Sequence, residues 1–140
     1  MPSTLEVIHD YLPESLHPLA TVISLNSLLV LIKTQGGTRL TIPRTVTPEH
    51  GLSALIGVDE MKKLTRLYGG GTLSVPRCTK LLTLARDIAI LQDRRKRMTY
   101  AQLALKYTMT EDGIGKALRR IEPRERQPWL KDLQAALMAT

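Results

Sequence analysis

A nine-residue motif occurs twice in this chain and constrains its fold more than any other feature. Gly36-Gly37-Thr38-Arg39-Leu40-Thr41-Ile42-Pro43-Arg44 matches Gly69-Gly70-Gly71-Thr72-Leu73-Ser74-Val75-Pro76-Arg77 at an offset of 33 positions, with both leading glycines, the Leu, the Pro and the Arg identical. A glycine pair supplies the backbone freedom that ends a helix and reverses the chain. Leu40 and Ile42, like Leu73 and Val75, sit two residues apart and share one face of a strand. The proline then stops the hydrogen-bond ladder. Each copy therefore reads as turn, short strand, stop. A strand this short cannot stand alone, so the two must pair with each other or with strands of a second chain.

The remainder reads as helix. Apolar segments precede each copy, Leu25 to Lys33 and Asp59 to Tyr68. Leu52, Leu55 and Ile56 suggest a short helix ending at Gly57, after which Asp59 is placed to cap the next, with Met61, Leu64 and Leu67 or Tyr68 on its inner face. Leu81, Leu84, Ala85, Ile88 and Leu91 have the spacing of an amphipathic helix from Cys78 to Asp93. Pro128 suits the first turn of a last helix bearing a stripe of Trp129, Leu133, Ala136 and Leu137. The chain has no Phe, so this core is built from aliphatic side chains. The expected class is mainly α with a small antiparallel β ribbon.

The charge is localised. The chain carries 20 Lys and Arg against 13 Asp and Glu, for a net charge of +7. Residues 1–76 and 127–140 are each neutral in sum, so the whole excess falls in residues 77–126. A basic excess confined to one window is the footprint of a polyanionic partner.

Inside that window, residues 99–121 read TYAQLALKYTMTEDGIGKALRRI. Thr99 and Gln102 have capping-box spacing, and Leu103, Ala104 and Tyr107 share a face of the helix that follows. After a break at Thr108-Met109, Thr110 is a good N-cap, with Glu111 and Asp112 placed to complement the helix dipole. Ile114, Ala117, Leu118 and Ile121 face inward on the second helix. This is the order of a helix-turn-helix whose second helix presents Thr110, Glu111, Asp112, Gly115, Lys116 and Arg119 to a major groove, with Arg120, a further candidate DNA contact, along its outer side and end. Asp112 is read as a helix-start charge, whereas Glu111 is open between that role and accepting from cytosine; Lys and Arg serve guanine or phosphate. Arg94-Arg95-Lys96-Arg97 precedes the unit and is assigned to phosphate contact. Gln102 completes this candidate DNA-contact set. Two features run against the pattern: Thr108 stands where a glycine often occurs, and Gly113 and Gly115 lie inside the second helix.

The order of these pieces resembles the Mor/C family of phage transcription activators, the middle-operon and late-gene regulators of Mu-like phages. The resemblance rests on Gly69-Gly70, the strand Leu73 to Val75, Pro76-Arg77, the helix around Arg86 and Ile88, and Leu103-Ala104-Leu105-Lys106-Tyr107, and covers residues 50–121. It implies a homodimeric activator that binds an imperfect inverted repeat in double-stranded DNA and helps bacterial RNA polymerase to start. It implies a helix-strand dimerisation region, residues 1–77, then a basic helix-turn-helix region, residues 78–126, and a C-terminal amphipathic helix, residues 127–140. Arg77 would touch the DNA backbone, and Thr110 to Arg120 would be the recognition helix. The copy at 36–44 is a departure, because it allows the ribbon to close inside one chain.

Other classes have less support. His9, His17 and His50 are scattered without metal-ligand spacing, no serine lies in a nucleophile motif, and no Lys-Ser/Thr follows Gly69-Gly70-Gly71. No enzyme, metal or cofactor is expected. Cys78, the sole cysteine, reads as a buried helix-start residue, with Arg77 and Lys80 near enough to raise the question of a reactive thiol. The longest apolar stretch, Leu19 to Ile32, is interrupted by Thr21, Ser24, Asn26 and Ser27 and has no preceding Lys or Arg, so no membrane partner or signal peptide is expected. The expected location is the cytoplasm of a bacterial host, at the nucleoid. The alternatives are an architectural or packaging protein that binds DNA without sequence choice, and a protein-binding adaptor.

Overall fold

The computed structural model describes residues 8–138. After a 3-10 turn at Glu14–Leu16, the helices are α1 (His17–Val22), α2 (Leu25–Gln35), α3 (Gly51–Ile56), α4 (Val58–Tyr68), α5 (Thr79–Arg95), α6 (Tyr100–Tyr107), α7 (Glu111–Ile121) and α8 (Pro128–Met138), with strands β1 (Thr38–Thr41) and β2 (Thr72–Val75). The chain is thus mostly helical with one two-stranded antiparallel sheet.

The two copies of the repeat pair with each other. Thr38 lies opposite Val75, Arg39 opposite Ser74, Leu40 opposite Leu73 and Thr41 opposite Thr72. Leu73 and Val75 are buried and Leu40 is half-buried, while Arg39, Thr41, Thr72 and Ser74 face solvent. Ile42, just past β1, has no exposed surface. The glycine turns do what their sequence requires: Gly37 and Gly70 adopt φ of 88° and 83°, which a side chain resists. A Cβ at Gly70 would also fall 2.8 Å from Nε of Arg44, whose side chain lies across the turn.

The helix pattern holds with local changes. The N-cap of α4 is Gly57, not Asp59, which falls with Glu60 in the first turn. There both acids complement the dipole instead of capping. Met61 and Leu64 are buried and Tyr68 half-buried, whereas Leu67 is exposed. On α5 the apolar stripe ending at Leu91 is widened by buried Ile90, and two acids, Asp87 and Asp93, are buried with it. One aliphatic core runs from Ile8 to Leu133, with Trp129 packed against it. The C-terminal helix docks on α2 of its own chain and buries Leu130 and Leu133; the Ala136 and Leu137 side chains lie outside the described residues.

Gly70→Ala should destabilise the protein by about 1–2 kcal/mol, lowering Tm by about 3–8 °C. Gly51→Ala meets no atom within 4 Å of its new Cβ and serves as the control. Thermal denaturation of both, with equal loss or no loss at the two positions, would contradict this account of the turn.

Candidate nucleic-acid interface

Residues 94–121 form two helices joined by a short turn and held against α5. The first helix opens on a complete capping box: the Gln102 amide donates to Thr99 Oγ1 at 3.1 Å and Gln102 Oε1 accepts from the Thr99 amide at 2.9 Å. Gln102 is exposed, but its carbonyl oxygen is committed to the cap, which leaves only its amide NH2 for other partners. The helix closes at Thr108, in the left-handed region at φ 54°, and the amide of Met109 reaches back to the carbonyl of Ala104 at 2.9 Å. A β-branched residue at that position is strained by about 1 kcal/mol. Thr110 then caps α7 by accepting from the Gly113 amide at 2.9 Å.

Ile114, Ala117, Leu118 and Ile121 of α7 are buried against α5 and α6, as their spacing requires. Thr110, Glu111, Asp112, Lys116 and Arg119 are exposed. Asp112 and Lys116 form a surface pair at 3.1 Å, one turn apart. Gly115 is a correction. It is buried, and a Cβ there would stand 3.6 Å from the Tyr100 ring and 3.3 Å from Nη1 of Arg119. The glycine lets the start of α6 and the Arg119 side chain lie close to α7, instead of opening its backbone to a groove.

Arg120 is a second correction. Its guanidinium makes two hydrogen bonds to Asp87 on α5, at 3.1 and 3.2 Å. Asp87 is only 4% exposed, and these two bonds, with the Arg86 guanidinium at 3.7 Å, satisfy a carboxylate that would be costly to bury unpaired. Arg120 therefore links α7 to α5 while its side chain stays half exposed. A similar link joins α5 to α6: Asp93 Oδ2 accepts from Lys106 Nζ at 2.7 Å and from the Tyr107 hydroxyl at 2.5 Å. Burial pushes the Asp93 carboxyl up, but the hydrogen bonds from Lys106 and Tyr107 and the charges of Lys106 and Lys96 outweigh it and hold the group below its ordinary range. Burial and the same carboxylate push the Tyr107 hydroxyl well above its usual value.

The four-base run before α6 divides into different roles. Arg94 donates to the Met98 carbonyl at 2.8 Å and lies 5.1 Å from the Tyr100 ring centroid, so it braces the turn. Arg95 makes a two-point pair with Glu125, Nε to Oε1 at 3.1 Å and Nη2 to the other oxygen, which raises the Arg95 pKa. Lys96 and Arg97 are exposed, and Arg97 has φ of 71° with no ion pair among the described residues. Arg77 is apart from this run, at the end of the ribbon, with its guanidinium over Gly37.

Asp87, Asp93 and Glu125 are not among the site residues expected from the sequence, and Lys106 entered there only within the motif Leu103 to Tyr107. Asp87 carried a usable signal, since it falls on the buried stripe between Leu84 and Ile88, where a carboxylate demands a cation. Cys78 is buried and its thiol is pushed up by that burial, so the neutral form dominates and the structure gives no activated thiolate. His9 and His17, distant in sequence, stack with ring centroids 4.3 Å apart, and His17 Nε2 bonds the carbonyls of His9 and Leu12. Among the described residues no three His, Cys, Asp or Glu converge on a metal position, and no helix is long and apolar enough to cross a membrane.

Arg120→Ala should cost about 1–2 kcal/mol, because it removes two hydrogen bonds from buried Asp87 and leaves it only the ion pair with Arg86 at 3.7 Å, while Arg119→Ala should stay within about 0.5 kcal/mol. Equal effects in denaturant melts would contradict the assignment. The Asp93 contribution has a definite pH sign. With its folded pKa depressed, the stabilisation is fully present above the ordinary carboxylate value of about 4 and is lost as pH falls through the folded value. Asp93→Asn should lower stability at neutral pH by about 1–3 kcal/mol and flatten the acid limb of Tm against pH; an unaltered acid limb would exclude Asp93 as its source.

The model of the Mor transcription activator family matches residues 47–133. That span takes in α4, β2 and the whole two-helix unit. No curated protein and no solved structure matches the chain significantly.

Proposed function

The chain belongs to the Mor transcription activator family, a family of transcription regulators and not of enzymes, and we propose that it is a sequence-specific DNA-binding activator of phage or prophage genes. The observation that carries this reading is the outer face of α7. Thr110, Glu111, Asp112, Lys116 and Arg119 stand exposed on a helix whose opposite face is buried, after a three-residue turn, inside the basic window. That arrangement supports a helix-turn-helix with α7 as the reading helix.

The roles follow from the surroundings of each side chain. Lys116 and Arg119 are the base-reading cations, and Glu111 is an acceptor for an amino group. Arg97 and Lys96 take phosphates and set orientation. Arg94 and Arg95 act mainly by holding the turn and the segment after α7 in place. In this reading residues 1–77 are scaffold, 78–126 the DNA-binding region and 127–140 a clasp back onto the scaffold. The contact with bacterial RNA polymerase rests on what the family resemblance implies; the homodimer on an inverted repeat that the same resemblance implies is not part of this reading, because the ribbon closes within one chain.

Selection of bound fragments from a random duplex pool, near physiological salt, tests the reading. An enriched sequence is expected; binding without enrichment would point to an architectural protein, and no binding would end the proposal. Within it, Lys116→Ala or Arg119→Ala should reduce specific binding by about 5- to 100-fold, more than non-specific binding, as expected for about 1–3 kcal/mol of base discrimination. Arg97→Ala should weaken all sequences alike and reduce the salt slope by about 1. Quantitative binding titrations on the selected and scrambled duplexes separate the two classes.

A further inference from the structure

We infer that the chain contains its own pseudo-dimer: residues 17–44 occupy the place that a second copy of residues 50–77 would take in a two-fold assembly, so that the protein acts as a single chain with one reading helix. The DNA part of this inference rests on the function proposed above.

The internal symmetry extends well beyond the nine-residue motif. Helices α2 and α4 are both 11 residues long, and their limits, Leu25–Gln35 and Val58–Tyr68, keep the offset of the sequence repeat. The turns that follow match in backbone: Gly36 has φ −56°, ψ 132° and Gly69 φ −52°, ψ 128°. The Gly36 amide bonds Ile32 and the Gly69 amide bonds Thr65, at 2.9 and 2.7 Å. Across the copies the bonds are reciprocal. Gly37 N–H donates to the Val75 carbonyl at 2.6 Å, and Gly70 N–H to the Ile42 carbonyl at 2.9 Å. Arg77 lies over Gly37 as Arg44 lies over Gly70. Leu40 faces Leu73, so the centre of the motif pairs with its own repeat. Around the ribbon, α1 packs on α4 and α3 packs on α2, each short helix meeting the long helix of the other copy.

Reciprocity of this kind, in which one patch meets its own equivalent, defines an isologous two-fold contact. Here both halves belong to one chain. The intramolecular ladder competes with any exchanged ladder at an effective concentration of about 1 mM, so at micromolar protein the closed form wins by roughly a thousandfold. The equivalence stops after the motif. Arg77 leads into α5 and the two-helix unit, whereas Arg44 leads into α3. Among the described residues the pseudo-dyad thus has one reading arm, and the matching DNA site is a single asymmetric element.

Sedimentation equilibrium of the full chain at micromolar concentrations should give one chain of 15.6 kDa; a mass of two chains would overturn the inference. In a Cys78→Ser background, Thr41→Cys with Thr72→Cys places two thiols directly across the ladder. Oxidation should give a cross-linked single chain on a non-reducing denaturing gel, and a covalent dimer would show that the strands are exchanged. On the selected duplex one bound chain and a motif without dyad are expected; two chains on an inverted repeat would refute the single-headed reading while leaving a sequence-specific regulator intact. Failure to select any sequence would defeat the function proposed above, and mass and cross-link would still decide the pseudo-dimer.

Discussion

Two four-residue strands, paired antiparallel inside one chain, are the contact on which the rest of the structure depends. Neither strand has enough hydrogen bonds or apolar area to persist alone. Joined, they seat Leu73, Val75 and Ile42 in the core and draw together segments more than 30 residues apart. The ladder ends at Pro76, and Cys78 turns the chain through the left-handed region into α5. The start of the longest helix is therefore set by where the ribbon stops. The two helices of residues 100–121 are built on that helix, and α8 returns to α2.

Two buried carboxylates make α5 a bracket for the two helices that follow it. Asp93 takes Lys106 and Tyr107 from α6, and Asp87 takes Arg120 from α7. Each interaction is charge-assisted and has a buried carboxylate on one side and a half-exposed cation on the other, so it ties its helix to α5 through the carboxylate's need for partners. The same pairing sorts the cations of the basic window. Arg120, Lys106 and Arg95 are tied to acids of the window, and Arg94 to a backbone carbonyl. The net charge is not altered by these pairs, so the long-range attraction for a polyanion persists. What changes is which cations are exposed and outside an ion pair among the described residues, and these include Lys96, Arg97 and Arg119, with Lys116 lightly held by Asp112.

Much of this was legible in the residues. The capping box at Thr99 and Gln102, the Thr110 cap and the inward set Ile114, Ala117, Leu118 and Ile121 are local patterns, and they appear as read. Thr108, the apparent misfit in the turn, adopts the left-handed backbone that a glycine would take there. Gly115 and Arg120 were misread for one reason. Helical periodicity places a residue on a face but does not say which neighbouring element covers that face or supplies a counter-charge. Tyr100 and Arg119 close over Gly115, and Asp87, 33 residues before Arg120, captures its guanidinium.

The sequence by itself determined the elements: where helices start and stop, that two short strands exist, that the core is aliphatic, and that the positive charge lies in one window. These depend on interactions within a few residues or on plain counting. Only the tertiary structure decided that the two strands pair with each other, and which arginines are committed to buried carboxylates. Both depend on distances across the fold, where a four-residue strand accepts any matching edge and a guanidinium any carboxylate within reach. The backbone path from the ribbon into α5 selects one partner for each.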